Sequence, residues 1–302
     1  MRRDSIGFVV VVVLIALVGG GCSGARPARE RPSSVSTPRS ISKPVVTATV
    51  APAPPATKKP RPATPSPTRR APVIKDPVLV RNKLYGVGKV RAAACALPAD
   101  VAKSDAALTS YGKALVACMN RAWAPLITRS GSAFRPAKIV ANDTGVCTEP
   151  PSTAFYNSEF ETICIDWDSY CVENAASWRT VQLQTDLAHE YGHHLQLLTG
   201  IMDNYDLDTP SWAQLEHERR LELQASCLGA AFVAAHRNAL AFTNWRLNEW
   251  EQIVTTTGDD NAPTGPRDHG SRTSYSYWNH RGFRSADPSS CNTFTAAPGW
   301  VS

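Results

Sequence analysis

Long apolar runs are scarce in this 302-residue sequence. The one candidate, Ile6 to Val18, is interrupted by Gly7 and is too short to span a bilayer comfortably. No C-x-x-C pair occurs among the eight cysteines, which argues against a structural zinc site of the finger or ribbon kind. From Arg26 to Pro77 aromatic and large apolar residues are almost missing, while 13 of the 23 prolines fall there. Such a segment cannot bury enough surface to offset its ordering entropy, so residues 26–77 read as a basic, partly extended linker rich in Pro, Ser and Thr. Acidic residues are rare in the same region. Residues 1–75 carry 13 Lys and Arg against Asp4 and Glu30, a net of +11, whereas the remainder holds 19 against 24, a net of −5. The overall +6 therefore describes the tail. An acidic domain on such a tail argues against nucleic acid as a partner, and the basic linker suits either contact with anionic lipid or cell-wall polymer or a solvated spacer that holds the domain off the membrane.

The order Arg2-Arg3, apolar run, Gly19-Gly20-Gly21-Cys22 is that of a secretory signal over residues 1–25, so the chain is expected to be exported. Cys22 after small residues fits a lipoprotein cleavage site, with the cysteine lipidated and the chain tethered at the outer face of the cytoplasmic membrane. An ordinary cut after Ala25, giving a secreted chain, is the competing reading. Residues 78–302 remain as one domain with room for a substantial core. In an oxidising compartment its cysteines should be mostly paired. The expected pairs are Cys95 with Cys118, Cys147 with either Cys164 or Cys171, and Cys227 with Cys291, leaving one thiol over.

The chemistry concentrates in Ala188 to Gln196, which reads AHEYGHHLQ. His189-Glu190-x-x-His193 puts two imidazoles four residues apart, on one face of a helix, where both can reach one zinc ion. Glu190 at the edge of that face can take a proton from water and carry it to a leaving amine. Leu187, Tyr191, Leu195 and Leu198 recur at helical spacing, and no Pro interrupts Trp178 to Gly200, so a helix buried on one face and stopped at Gly200 is expected. A catalytic zinc needs a third protein ligand with a position left for water. A second long helix, opened by Thr209-Pro210 and running to about His236, offers Glu222 as the best candidate. At 100° per residue His217 and Cys227 point away from it, and Glu218 is its one serious rival.

Elsewhere, Leu97 to Trp123 has helical periodicity that Pro125 closes. Lys138–Ala141, Ala154–Tyr156 and Thr162–Trp167 read as a small antiparallel sheet with a turn at Asn157-Ser158-Glu159. By analogy with zinc peptidases, Thr162–Trp167 could offer its edge to an extended substrate. Asp203 to Asp208 is an acidic loop, better read as solvated than as a calcium site. Trp245 to Ile253 forms a short packing helix, and Tyr275, Tyr277, Trp278 and Phe283 form an aromatic helical stripe.

With HEYGHHLQ, then ELQASCLGA, then Asp268-His269-Gly270-Ser271 before a helix ending Arg281-Gly282-Phe283, the chain resembles the bacterial family of neutral zinc metallopeptidases, over roughly Leu84 to Phe294. The resemblance implies an α+β, minimal zinc-peptidase fold in which the metal helix packs on a second ligand-bearing helix beside a small sheet. It implies zinc as cofactor and a peptide or protein as substrate. It also implies His189, His193 and Glu222 as ligands, Glu190 as base, and His269 as a hydrogen-bond donor to a developing oxyanion or else a structural histidine. The family usually has Asp four residues after the ligand Glu, plausibly orienting a zinc-binding histidine. Here the position is Ser226, which accepts a hydrogen bond but brings no charge. That departure keeps a second reading open: a tethered envelope protein with a structural or vestigial metal site that binds a partner without catalysis.

Overall fold

The computed structural model describes residues 9–11, 74–98, 105–141, 146–147, 153–170, 179–205, 213–261 and 267–302. Cys22, most of the 26–77 linker, Cys171 and Thr209-Pro210 lie outside the described residues. The elements are β1 (Val9–Val11), α1 (Pro77–Val80), α2 (Asp105–Arg129), β2 (Lys138–Ala141), β3 (Ala154–Asn157), β4 (Thr162–Ile165), α3 (Thr180–Leu198), α4 (Ile201–Asn204), α5 (Gln214–His236), α6 (Trp245–Thr256) and α7 (Arg272–Ser285). The architecture is mixed α+β, mostly helical. Strand β1 comes from the run read as an export signal.

The metal-motif helix α3 lies between the sheet and α5, and α5 packs in turn on α7. All residues of α3 except Gln182 and Leu197 are buried. The expectation of one buried face is thus too modest: neighbours cover the helix on every side, and its polar side chains must find partners inside the protein. Gly200, at φ 74°, follows its last turn as expected, since a left-handed residue costs glycine nothing there. It leads directly into α4, so Asp203 is helical rather than part of an open acidic loop.

Small residues let the three helices touch backbone to backbone. A Cβ on Gly192 of α3 would lie 2.5 Å from the Ala225 carbonyl oxygen of α5, and one on Gly229 of α5 would lie 2.7 Å from the Ala188 carbonyl. Ala188 and Gly192, like Ala225 and Gly229, are four residues apart, so one small-residue ridge on each helix meets the other. On α7, Gly282 abuts the Cys227 carbonyl of α5 in the same way. Gly192→Ala should therefore cost about 1–3 kcal/mol of stability by overpacking, despite alanine's better helix propensity. Thermal unfolding of the variant checks it, and an unchanged or raised midpoint would contradict the close approach.

The sheet has the order β1-β3-β4-β2. Strands β3 and β4 pair antiparallel through the turn expected after Asn157, and β1 pairs antiparallel with β3, but β2 runs parallel to β4. The sheet is therefore mixed rather than antiparallel. Strand β4 has partners on both sides, so the substrate edge assigned by analogy to Thr162–Trp167 does not exist there. Helix α2 also departs from expectation: Pro125 sits inside it, and the helix continues to Arg129. Leu126 and Ile127 are buried at 3% and 0% exposure, and their burial offsets the hydrogen bond lost at the proline. Three disulfides staple the domain: Cys95–Cys118, Cys147–Cys164 and Cys227–Cys291. Cys164 rather than Cys171 is thus the partner of Cys147.

Candidate metal centre

Helix α3 presents His189 and His193 one turn apart, and the tight approach at Ala225 brings Glu222 of α5 against both. Glu222 Oε2 lies 3.1 Å from His189 Nε2 and 3.2 Å from His193 Nε2, and the two nitrogens are 3.2 Å apart. A tetrahedral ion with bonds of about 2.0–2.1 Å needs ligand atoms roughly 3.3 Å apart, so this near-equilateral set has the spacing of three zinc ligands. A carboxylate oxygen of Glu190 lies within 4.8 Å of a ring nitrogen of each histidine. Glu190 Oε2 and His269 Nε2 are both buried without a hydrogen-bond partner. Two orphaned polar atoms beside three converging ligands are what a site that receives an ion, water and substrate would leave. The donor set suits zinc.

The far side of each imidazole is held. His189 Nδ1 is 2.8 Å from Ser226 Oγ, and His193 Nδ1 is 2.9 Å from Gln196 Oε1. The Gln196 amide nitrogen donates to the Leu221 carbonyl at 2.8 Å, so its oxygen faces His193 and accepts a hydrogen bond from Nδ1–H. Both Nε2 atoms face Glu222, where an ion would sit. His194, the third histidine of the motif, faces elsewhere: Nδ1 accepts from the Tyr156 hydroxyl at 2.8 Å and Nε2 donates to the Arg135 carbonyl at 2.7 Å, fastening α3 to β3 and to the loop ahead of β2. His269 donates from Nδ1 to Asp268 at 2.7 Å, and its Nε2 is 3.5 Å from Glu222 Oε2. Asp259 accepts from the backbone nitrogens of His269 and Gly270 at 2.7 and 3.0 Å, and so pins the loop that carries the ring.

Charge in the site follows burial first and neighbours second. Burial pushes His189 down to about 4 and Glu190 up to about 8. Burial also works against the charge of Glu222, but the nearby His193 and His269 outweigh it and hold that carboxyl well below its usual range. His193 is raised, and His269 rises to about 9, because Glu222 and its own hydrogen bonds overcome the burial of each ring. One turn before Glu190, Asp186 is pushed up to about 7 by burial while Tyr170 and Gln182 donate to it at 2.8 and 2.7 Å. Without an ion, the proton that His269 holds to about 9 offsets the charge of Glu222. A divalent ion needs both Nε2 atoms and Glu222 free of protons, so metal loading should release protons and strengthen with rising pH.

The structure thus brings together all of His189, Glu190, His193, Glu222, Ser226 and His269. Gln196, Asp268 and Asp259 were not singled out from sequence for these contacts. Gln196 carried a signal, since a residue three beyond His193 on a helix shares its side. Asp259 carried none, because only the folded loop brings it near His269.

A buried His2Glu cluster with a spare carboxylate, on two backbone-packed helices, has the composition that an HExxH zinc site needs. The chain belongs to the family described as "Putative neutral zinc metallopeptidase", whose model matches residues 76–294. Membership supports a zinc-dependent hydrolase at that coarse level. The chain is also similar to "Uncharacterized protein YpfJ" of Escherichia coli strain K12 and of an O6:H1 strain, 31% identical in each case over 119 residues. Those matches cover 36% of this chain and 42% of the relatives, so the chain spans less than half the length of the curated proteins it matches. No solved structure was found to match. Among the described residues no helix is long and apolar enough to cross a membrane.

Proposed function

We propose that this chain is an exported zinc metallopeptidase of minimal zinc-peptidase fold, tethered through a lipidated Cys22 or else secreted after cleavage, that hydrolyses peptide bonds with Glu190 as general base. The observation that carries the reading is the mutual 3.1–3.2 Å spacing of His189 Nε2, His193 Nε2 and Glu222 Oε2 beside an unpartnered Glu190 oxygen. When bound, zinc supplies a Lewis acid that polarises a carbonyl and acidifies water. Glu190 takes the proton of the attacking water and returns it to the leaving amine nitrogen. His269, steadied by Asp268, aims its Nε2 at the region where the carbonyl oxygen gains charge. Gln196 keeps His193 in the tautomer that leaves Nε2 free, and Ser226 holds the His189 ring in orientation. Cleavage of residues 1–25 would remove β1 and free the outer edge of β3 for an extended substrate, whereas β4 stays paired on both sides. The basic linker fits a spacer that holds the domain off the membrane or against wall polymer.

The purified domain should carry about one zinc per chain and cleave members of a peptide library, with activity abolished by a chelator and restored by zinc. A second reading rests on His269, whose unpartnered Nε2 lies 3.5 Å from Glu222 Oε2. As a fourth protein ligand it would close the coordination shell and fit a structural ion in a non-catalytic envelope binding protein. X-ray absorption on the zinc-loaded domain separates the two: two imidazoles support the peptidase, three the closed site.

A further inference from the structure

The support of His193 does not end at Gln196. Gln196 Nε2 donates to Gln224 Oε1 at 3.1 Å, Gln224 Nε2 donates to the Tyr85 hydroxyl at 2.8 Å and to the Cys291 carbonyl at 3.1 Å, and the Tyr85 hydroxyl donates to the Leu79 carbonyl at 2.9 Å. Gln196 and Gln224 are wholly buried, at 0% exposure. The direction of every bond is settled by its end: a carbonyl can only accept, so the tyrosine donates to Leu79 and accepts from Gln224. Gln224 must then turn its oxygen to Gln196, and Gln196 its oxygen to His193. All donors point the same way, from His193 Nδ1–H to Leu79.

A one-way chain of this kind polarises each bond it contains. It forbids the alternative imidazole tautomer, because a proton on Nε2 would leave Nδ1 facing a second acceptor with no hydrogen between them. It also draws on three distant pieces of chain: the amino-terminal turn that bears Tyr85, helix α5, and the tail segment stapled by Cys227–Cys291.

We infer that Gln196, Gln224 and Tyr85 form a positioning relay that locks His193 into its metal-binding tautomer and raises its affinity for the ion; the inference rests on the zinc-site reading above. None of the three touches substrate or metal. A set of amides that merely filled the core would give the same stability but would leave the tautomer and the zinc affinity indifferent to their loss.

The test uses the full chain labelled with 15N-histidine, together with zinc titration against a chromophoric chelator. At a pH where His193 is neutral, the metal-free wild type should show its single ring proton on Nδ1. Gln196→Leu should allow the other tautomer and weaken zinc binding by about 10–100-fold. Gln224→Leu, which contacts no ligand, should weaken it by about tenfold, the lower end of the same range. Tyr85→Phe, the mildest change, guards against loss of folding in the other two and should shift both readouts in the same direction. The relay is overturned if folded Gln224→Leu and Tyr85→Phe bind zinc within twofold of wild type with the His193 tautomer unmoved. Should the wild type bind no zinc at all, the peptidase reading falls, and the tautomer measurement on the metal-free chains still decides the relay.

Discussion

Glu190→Gln is expected to bind zinc as tightly as the parent chain while peptide hydrolysis falls by about 10²–10⁴-fold, the usual contribution of a positioned general base. The amide has nearly the same volume, so the wholly buried site keeps its packing, and Glu190 lies outside the 3.1–3.2 Å triangle of ligand atoms. What is lost is the ability to take and return a proton. Burial holds Glu190 near 8 in the metal-free chain, which marks a carboxyl that exchanges protons close to neutrality. Single-turnover kinetics alongside metal analysis is the decisive pairing. Activity that survives with zinc still bound would remove Glu190 from the chemistry and leave the non-catalytic reading standing.

Glu222→Gln should do the reverse, emptying the site. A neutral amide is a poor zinc ligand, and two imidazoles alone make half of a tetrahedral shell, so zinc affinity should drop by at least about a hundredfold. A second consequence can be measured on the metal-free chain. Glu222 is what raises His193 and His269 against their burial, so in the variant both rings should titrate lower, His269 falling below its value of about 9. Zinc binding that persists in Glu222→Gln would hand the third position to Glu218 or His269.

Much of the centre was legible before any fold was drawn, because it depends on local geometry. The four-residue spacing of His189 and His193 needs only a helix, and the periodic leucines around them made that helix plain. Glu222 was legible as an acid on the next long helix and through the family resemblance, angular spacing served to set aside His217 and Cys227, and Ser226 shared its face. Legibility ended where distant segments decide. That β2 joins the sheet parallel to β4 depends on pairing across the intervening β3 hairpin, which no local alternation encodes. Pro125 inside α2 shows tertiary burial overruling a local breaker. The enclosure of α3 on all sides came from α5 and the sheet together, and Asp259 reaches the His269 loop only because the chain folds back on itself.

Gly192 against Ala225 and Gly229 against Ala188 leave no cushion of side chains between the two ligand helices. The gauge of the cage is therefore set by the hard radii of main-chain atoms, which do not yield. Calcium, with oxygen-rich coordination and bonds of about 2.3–2.6 Å, would require the helices to spread. If the site holds zinc as proposed, the scaffold itself favours a small, nitrogen-seeking ion, and a larger cation would meet resistance from the whole helical stack.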